Sequence, residues 1–201
     1  MARPRLPDDQ SPRKDMLRAA TRLLRQGGLA AAGVNRIVAE SGAPKGSIYH
    51  FFPDGKAQIA REALSGYRDL AVARMRARLE GRKGDPRAVV RGYFELGAEA
   101  ALESDYSMSC PAGAVTLDLD PESEALRDAC HTVFDGIVEA LADLLTPLAP
   151  AKRRALAGAM VSAMQGAYIR ARAARDPGPF HEVGECLAAA IPVPRRKGKP
   201  R

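Results

Sequence analysis

Tryptophan is absent from the 201 residues, and aromatics make up only 5% of them. Cysteine is scarce: Cys110, Cys130 and Cys186 are far apart, with no CxxC and no Cys/His spacing. That argues against a zinc module and against a secreted disulfide framework. Long hydrophobic runs are missing too; nothing approaches the roughly 18 apolar residues of a spanning helix. Met1 to Leu6 is charged and lacks an apolar stretch of about 7–15 residues, so no signal peptide is expected. There is no Walker loop and no GxGxxG, so no cofactor or metal is expected. The expectation is a cytoplasmic protein in a reducing compartment, with no membrane partner. A hydrophobic fraction of 46% is too high for wholesale disorder.

β-branched residues are also few. Val, Ile and Thr total 21, against 37 Ala and 19 Leu. Ala and Leu lead the helix scale, whereas β-branched residues favour strands. An all-α fold follows. Negative charge is sparse at both ends of the chain. The net charge is +7, yet residues 1–60 hold +5 and residues 195–201 another +5, leaving the middle at −3. Basic ends on a mildly acidic body suggest a polyanionic partner. A composition rich in Arg throughout is the plainer explanation.

Prolines and glycines divide the chain into about nine helix-length pieces. Residues 1–11 read as a disordered basic arm. Ser11 and Pro12 suit an N-cap and first turn. Met16, Leu17, Ala20, Leu23 and Leu24 then recur at helical spacing until Gly27-Gly28. Val34, Ile37 and Val38 mark a second helix, stopped by Ser41-Gly42. Pro44 opens a third, and Pro53-Asp54-Gly55 makes a turn. A long helix is expected over 56–82, with Ile59, Ala63, Tyr67 and Leu70 on one stripe. Asp85-Pro86 and Asp120-Pro121 each read as cap plus first-turn proline. From the latter runs a helix with Leu126, Cys130, Val133, Ile137, Leu141 and Leu144 on one face. Residues 151–175 and 180–191 supply the last two helices, and 192–201 a basic tail.

Three short helices with a Gly-containing turn before the third make a helix-turn-helix layout. Its last helix should enter the major groove with its N-terminal residues toward base edges. Here that helix is Pro44-Lys45-Gly46-Ser47-Ile48-Tyr49-His50-Phe51. Lys45 brings charge, and Gly46 and Ser47 allow close approach. Ser47, Tyr49 and His50 can hydrogen-bond phosphates or bases. Lys56 starts the next helix, where amide and ammonium can meet one phosphate. Ile48 and Phe52 read as core. Asn35 and Arg36 on the preceding helix complete the candidate set with Pro44.

The stretch Gly33 to Lys56, GVNRIVAESGAPKGSIYHFFPDGK, strongly resembles the DNA-binding signature of TetR-type repressors. Gly33 stands where that family often has a capping Thr or Ser, leaving Asn35 to replace its phosphate contact. Ala43-Pro44 replaces Val-Ser, and Phe51 replaces a frequent second His. The extra glycine in Phe52-Pro53-Asp54-Gly55-Lys56 and the Cys110-Pro111-Ala112-Gly113-Ala114 segment look like the LmrA/YxaF-like branch. The resemblance implies a DNA-binding domain over 12–55 and an effector-binding and dimerisation domain over 56–191.

It also implies a homodimer through the last two long helices. The alanine-rich face Leu156, Met160, Ala163, Ala167 and Ala171, with Leu187 and Ile191, would form a four-helix seam. The alternative is that this face is core within one protomer. An inducer pocket is implied among the middle helices, with Tyr93, Phe94, Tyr106, Met108, Cys110, Phe134, Met160, Met164 and Tyr168 as candidate lining. Such a set fits a flat aromatic or hydrophobic effector, and the branch suggests flavonoid-like or drug-like compounds.

The residues offer no catalytic constellation. Asp118, Asp120, Glu122 and Glu124 cluster, but three of them fall where a helix cap and first turn favour negative charge. Cys130 and His131 are adjacent and so do not face each other on a helix. The expectation is a ligand-responsive repressor on a double-stranded, palindromic operator, and not an enzyme. An activator, a nucleoid-type DNA binder and a small-molecule-binding protein without operator specificity are the alternatives.

Overall fold

The computed structural model describes residues 11–192, and its described residues form helices and turns without a strand. The basic arm over 1–10 and the tail from 193 onward lie outside the described residues. The elements are α1 (Pro12–Ala31), α2 (Val34–Ser41), a 3₁₀ turn (Lys45–Ser47) running into α3 (Ile48–Phe51), α4 (Gly55–Leu79), α5 (Pro86–Glu103), α6 (Pro111–Leu117), α7 (Glu124–Leu144), α8 (Pro150–Ala174) and α9 (Gly178–Ala189).

Local chemistry sets most of the starts. The Ser11 hydroxyl accepts from the Lys14 N–H at 3.2 Å, and Asp85 accepts from the Arg87 and Ala88 N–H groups at 3.0 and 3.2 Å. Both caps satisfy amides that have no partner within the helix. Proline occupies the first turn of α1, α5, α6, α8 and α9. Gly27 and Gly28 break the helical path of α1, as their sequence position implied, but a last turn continues to Ala31. Gly42, at φ 67°, makes the left-handed turn that reverses the chain between α2 and the recognition segment.

Three expectations need correction. The seventh helix starts at Glu124, not at Asp120-Pro121, because residues 120–123 close as a turn with Ser123 N–H donating to Asp120 O at 3.0 Å. Asp120 and Glu122 therefore lie outside that helix's first turn. The recognition segment is not one helix over 44–51 but a 3₁₀ turn followed by a single α-helical turn. Leu70 leaves the buried stripe of α4 and is exposed. The expected face of α7, from Leu126 to Leu144, is buried throughout.

α1, α2, α3 and the start of α4 form a head. Met16, Leu23, Leu24, Ile37, Ile48, Phe52 and Ile59 are its buried side chains. Arg13 lies over the Phe52 ring, 4.9 Å from its centroid, and ion-pairs with Glu62 of α4. In the body, α4 packs on α7, α7 on α8, and α5 and α8 on α9. The buried apolar side chains of head and body make one continuous cluster. α1 itself packs extensively on α6, so the head is seated on the body through its first helix as well as through α4.

Candidate DNA interface and effector cavity

The recognition segment presents an unusual surface. Tyr49 is 63% exposed although it is a large aromatic on a short helix. Its neighbours Ile48 and Phe52 are buried and anchor the turn. His50 and Gly46 are exposed, and His50 meets Phe51 edge-on with ring centroids 5.1 Å apart. The Ser47 hydroxyl donates to Pro44 O at 2.7 Å, which leaves its oxygen free to accept. Pro44, Asn35, Arg36 and Lys56 are all exposed. Lys45 sits at the start of the 3₁₀ turn. Arg36 is within 3.7 Å of Glu40, and Glu40 is also held by Arg22 at 2.7 Å. The acidic groups of the head are thus engaged by its own arginines, and Lys56 stands in the first turn of α4 near Tyr49. A Cβ placed on Gly55 would lie 3.9 Å from the Tyr49 ring.

Below the head is a cavity of about 200 Å³ bounded by α1, α4, α5, α7, α8 and the start of α6. Tyr93, Cys110, Met164 and Tyr168 line it, as the sequence suggested. Phe94 and Met160 do not: both are fully buried in the core, Phe94 beside Gly184 of α9. Phe134 and Tyr106 are half-buried outside the lining. Met108 lines a neighbouring groove of about 470 Å³ between α1 and α4, which shares Thr21, Arg25, Tyr67 and Leu70 with the cavity. Sequence reasoning missed Arg25, Tyr67, Arg74 and Gln165 as lining residues. Tyr67 was findable, since it falls on the apolar stripe of α4. Arg25 was not, because a charged residue on α1 reads as solvent face.

Burial dominates the chemistry of the cavity's ionisable groups. It pushes the Tyr67 and Tyr93 phenols well above their ordinary range and Tyr168 up to about 12. The Cys110 thiol is likewise raised, chiefly by burial, so it is a poor nucleophile. Arg25 sits at the edge, its guanidinium 5.8 Å from the Tyr67 ring centroid. Its Nε donates to Ser109 O at 3.1 Å, and Ser109 N–H donates back to Arg25 O at 2.9 Å. Two further bonds join α1 to the body: Ala30 N–H to Asp118 at 3.2 Å, and Arg172 to Gln26 O at 3.1 Å.

The alanine face expected for dimerisation is corrected in register. Ala167, Ala171 and Met160 are buried inside the protomer, because that side of α8 faces the core. Ile191 is also buried, with Arg87 donating to its carbonyl oxygen. Leu156, Ala163 and Leu187 are half-buried at the margin. The face of α8 turned outward carries Ala155, Ala159, Ser162, Gly166, Ile169 and Ala173, and Ile169 is 64% exposed.

Comparison with known proteins agrees with this architecture. Residues 16–63 match the bacterial regulatory proteins of the tetR family, and residues 86–186 match the C-terminal domain of LmrA/YxaF-like transcriptional regulators. The chain is 30% identical to the HTH-type transcriptional regulator LmrA of Bacillus subtilis, over 87% of this chain and 94% of that protein. It is 31% identical to the uncharacterized HTH-type regulator MT0206 of Mycobacterium tuberculosis, over 91% and 97%. A cysteine mutant of the TetR-family regulator CifR, solved with 26-bp double-strand operator DNA, shares the fold with a TM-score of 0.77. That likeness covers 95% of this chain and all of CifR at 21% identity. With both its head and its body matched, the chain belongs to the TetR family of transcriptional regulators, in the LmrA/YxaF-like branch.

Proposed function

We propose that the protein is a homodimeric repressor that leaves a palindromic operator when a small hydrophobic or aromatic effector fills the cavity. The observation that carries this reading is the place of α1. Thr21 and Arg25 belong to the head, yet they line the cavity of the body. An occupant therefore touches the DNA-binding unit directly. To act, it need only favour a head position that DNA does not, and bound DNA must then weaken the effector by the same factor.

In this reading residues 12–55 bind DNA and residues 56–191 sense and dimerise. Each protomer lays residues 44–51 in a major groove, and Tyr49, His50, Ser47, Lys45, Gly46 and Pro44 meet the duplex. Asn35, Arg36 and Lys56 flank them toward phosphates. The two-fold seam is formed by the outer faces of α8 and α9, where small side chains allow close helix approach.

The test of repression is a reporter fused to the promoter beside the protein's own gene. Deleting the gene should raise expression, and restoring it should lower expression again. A fall on deletion would instead make the protein an activator.

A further inference from the structure

The cavity has a definite electrostatic character. Two guanidinium groups line it, from Arg25 and Arg74, and no Asp or Glu among the described residues does. Arg74 is shared with Glu103 at 3.6 Å, at the exposed rim. Arg25 is different. Its Nε is used on Ser109, but its Nη1 and Nη2 carry no hydrogen bond among the described residues. Thr21, Gln165, the Cys110 thiol and three phenols, from Tyr67, Tyr93 and Tyr168, complete the polar set. Tyr93 and Tyr168 are 8% and 9% exposed, and neither hydroxyl makes a hydrogen bond within the described residues. Phenols that stay neutral can donate, and a guanidinium can only donate. The rest of the wall is apolar, from Met75, Leu96, Ile137 and Met164.

We infer that this cavity takes an aromatic acid, its carboxylate held by Arg25 and its ring lodged among Tyr93, Met164 and Tyr168. The inference rests on the cavity being the effector site and adds the chemical class. It also supplies a route of action. A carboxylate that takes Nε together with Nη2 displaces the Ser109 carbonyl from Nε, and so loosens the bond that holds α1 to the segment leading into α6. Arg–carboxylate pairs are charge-assisted and geometrically specific, which a neutral isostere cannot reproduce.

Matched pairs of acid and primary amide test this: benzoate, trans-cinnamate and 2-naphthoate, each against its amide. Binding to the full-length, DNA-free protein is followed by calorimetry. At least one acid should bind about tenfold or more tightly than its amide, given the strength of hydrogen bonds to charged groups. Arg25→Met should remove that preference, bringing each acid to about the affinity of its amide in the same variant, and Arg25→Lys should keep part of it. Equal or better binding of all three amides would overturn the inference, as would no binding by any acid. So would an acid preference that survives Arg25→Met in a variant with unchanged helicity. Operator affinity is measured separately on the same preparations. Loss of operator recognition with an intact acid preference would overturn the repressor reading and leave the ligand class standing.

Discussion

Arg25 and Ser109 hold each other from both sides: Ser109 N–H donates to Arg25 O at 2.9 Å, and Arg25 Nε donates to Ser109 O at 3.1 Å. One partner lies on the first helix of the head and the other just before α6 of the body. The reciprocal pair fixes the carboxyl-terminal half of α1 against the body beside the cavity. Head and body are therefore joined through α1, here and at the Ala30–Asp118 and Arg172–Gln26 bonds, and through the continuous helix α4.

Tyr49→Ala should weaken operator binding by about 1–3 kcal/mol, roughly 5- to 150-fold, if the ring or hydroxyl meets the duplex. Its exposure of 63% means that little packing is lost. The thermal midpoint should stay within about 2 °C of wild type. Fluorescence anisotropy with operator DNA and a thermal melt read the two effects separately.

Gly28→Ala should destabilise the fold. Gly28 has φ 62°, and an added Cβ would lie 2.3 Å from Asp118 Oδ2 and 2.9 Å from Ala114 O. A left-handed residue and a clash with backbone together cost about 2–3 kcal/mol. Urea denaturation should show a lower midpoint at unchanged slope.

Asp118→Ala removes the acceptor of the Ala30 amide, bonded at 3.2 Å. The last turn of α1 should then open more often. Hydrogen exchange at Ala30 should accelerate by about fivefold, matching a bond of about 1 kcal/mol, while amides of α7 stay unchanged.

Ile169→Arg places charge on the outward face of α8 beside Gly166. If that face is the two-fold seam, light scattering should report half the wild-type mass, with helicity retained. A wild-type mass for the variant would move the seam elsewhere.

High pH should unfold the protein. Burial raises the Tyr67, Tyr93 and Tyr168 phenols in the folded state, Tyr168 to about 12. Between the ordinary phenol value near 10 and those raised values, the unfolded chain has lost protons that the folded chain keeps. Stability from this source is present below about pH 10 and falls as pH rises. Urea midpoints measured from pH 8 to 11 should drop, and Tyr168→Phe should flatten the drop.

The head was legible in the sequence because its signals are local. Ser11, Gly27-Gly28, Gly42 and Pro44 punctuate short helices, and the spacing of Met16, Leu23 and Leu24 gives the buried face. The cap at Asp85 was legible for the same reason. Asp120-Pro121 carries the same two residue types but closes a turn, since Ser123 and Arg127 use the local carbonyl groups. The register of α8 was not legible. Alanine is compatible with core and with interface, so Ala167 and Ala171 could not be told from Ala159 and Ala173 until α5, α7 and α9 were in place around the helix. The cavity was half legible. Its aromatics stand on apolar stripes, but Arg25 reaches it only through the packing of α1 on α6, a relation between residues 84 positions apart.

The central claim is sequence-specific recognition of DNA by residues 44–51, and competition anisotropy tests it most directly. Labelled duplex from the region flanking the gene is titrated with the full-length protein at about 150 mM salt, with unlabelled random duplex as competitor. Binding should be at least about 10³-fold tighter to one flanking segment than to random DNA. Equal affinity for flanking and random duplex, erased together by rising salt, would contradict it.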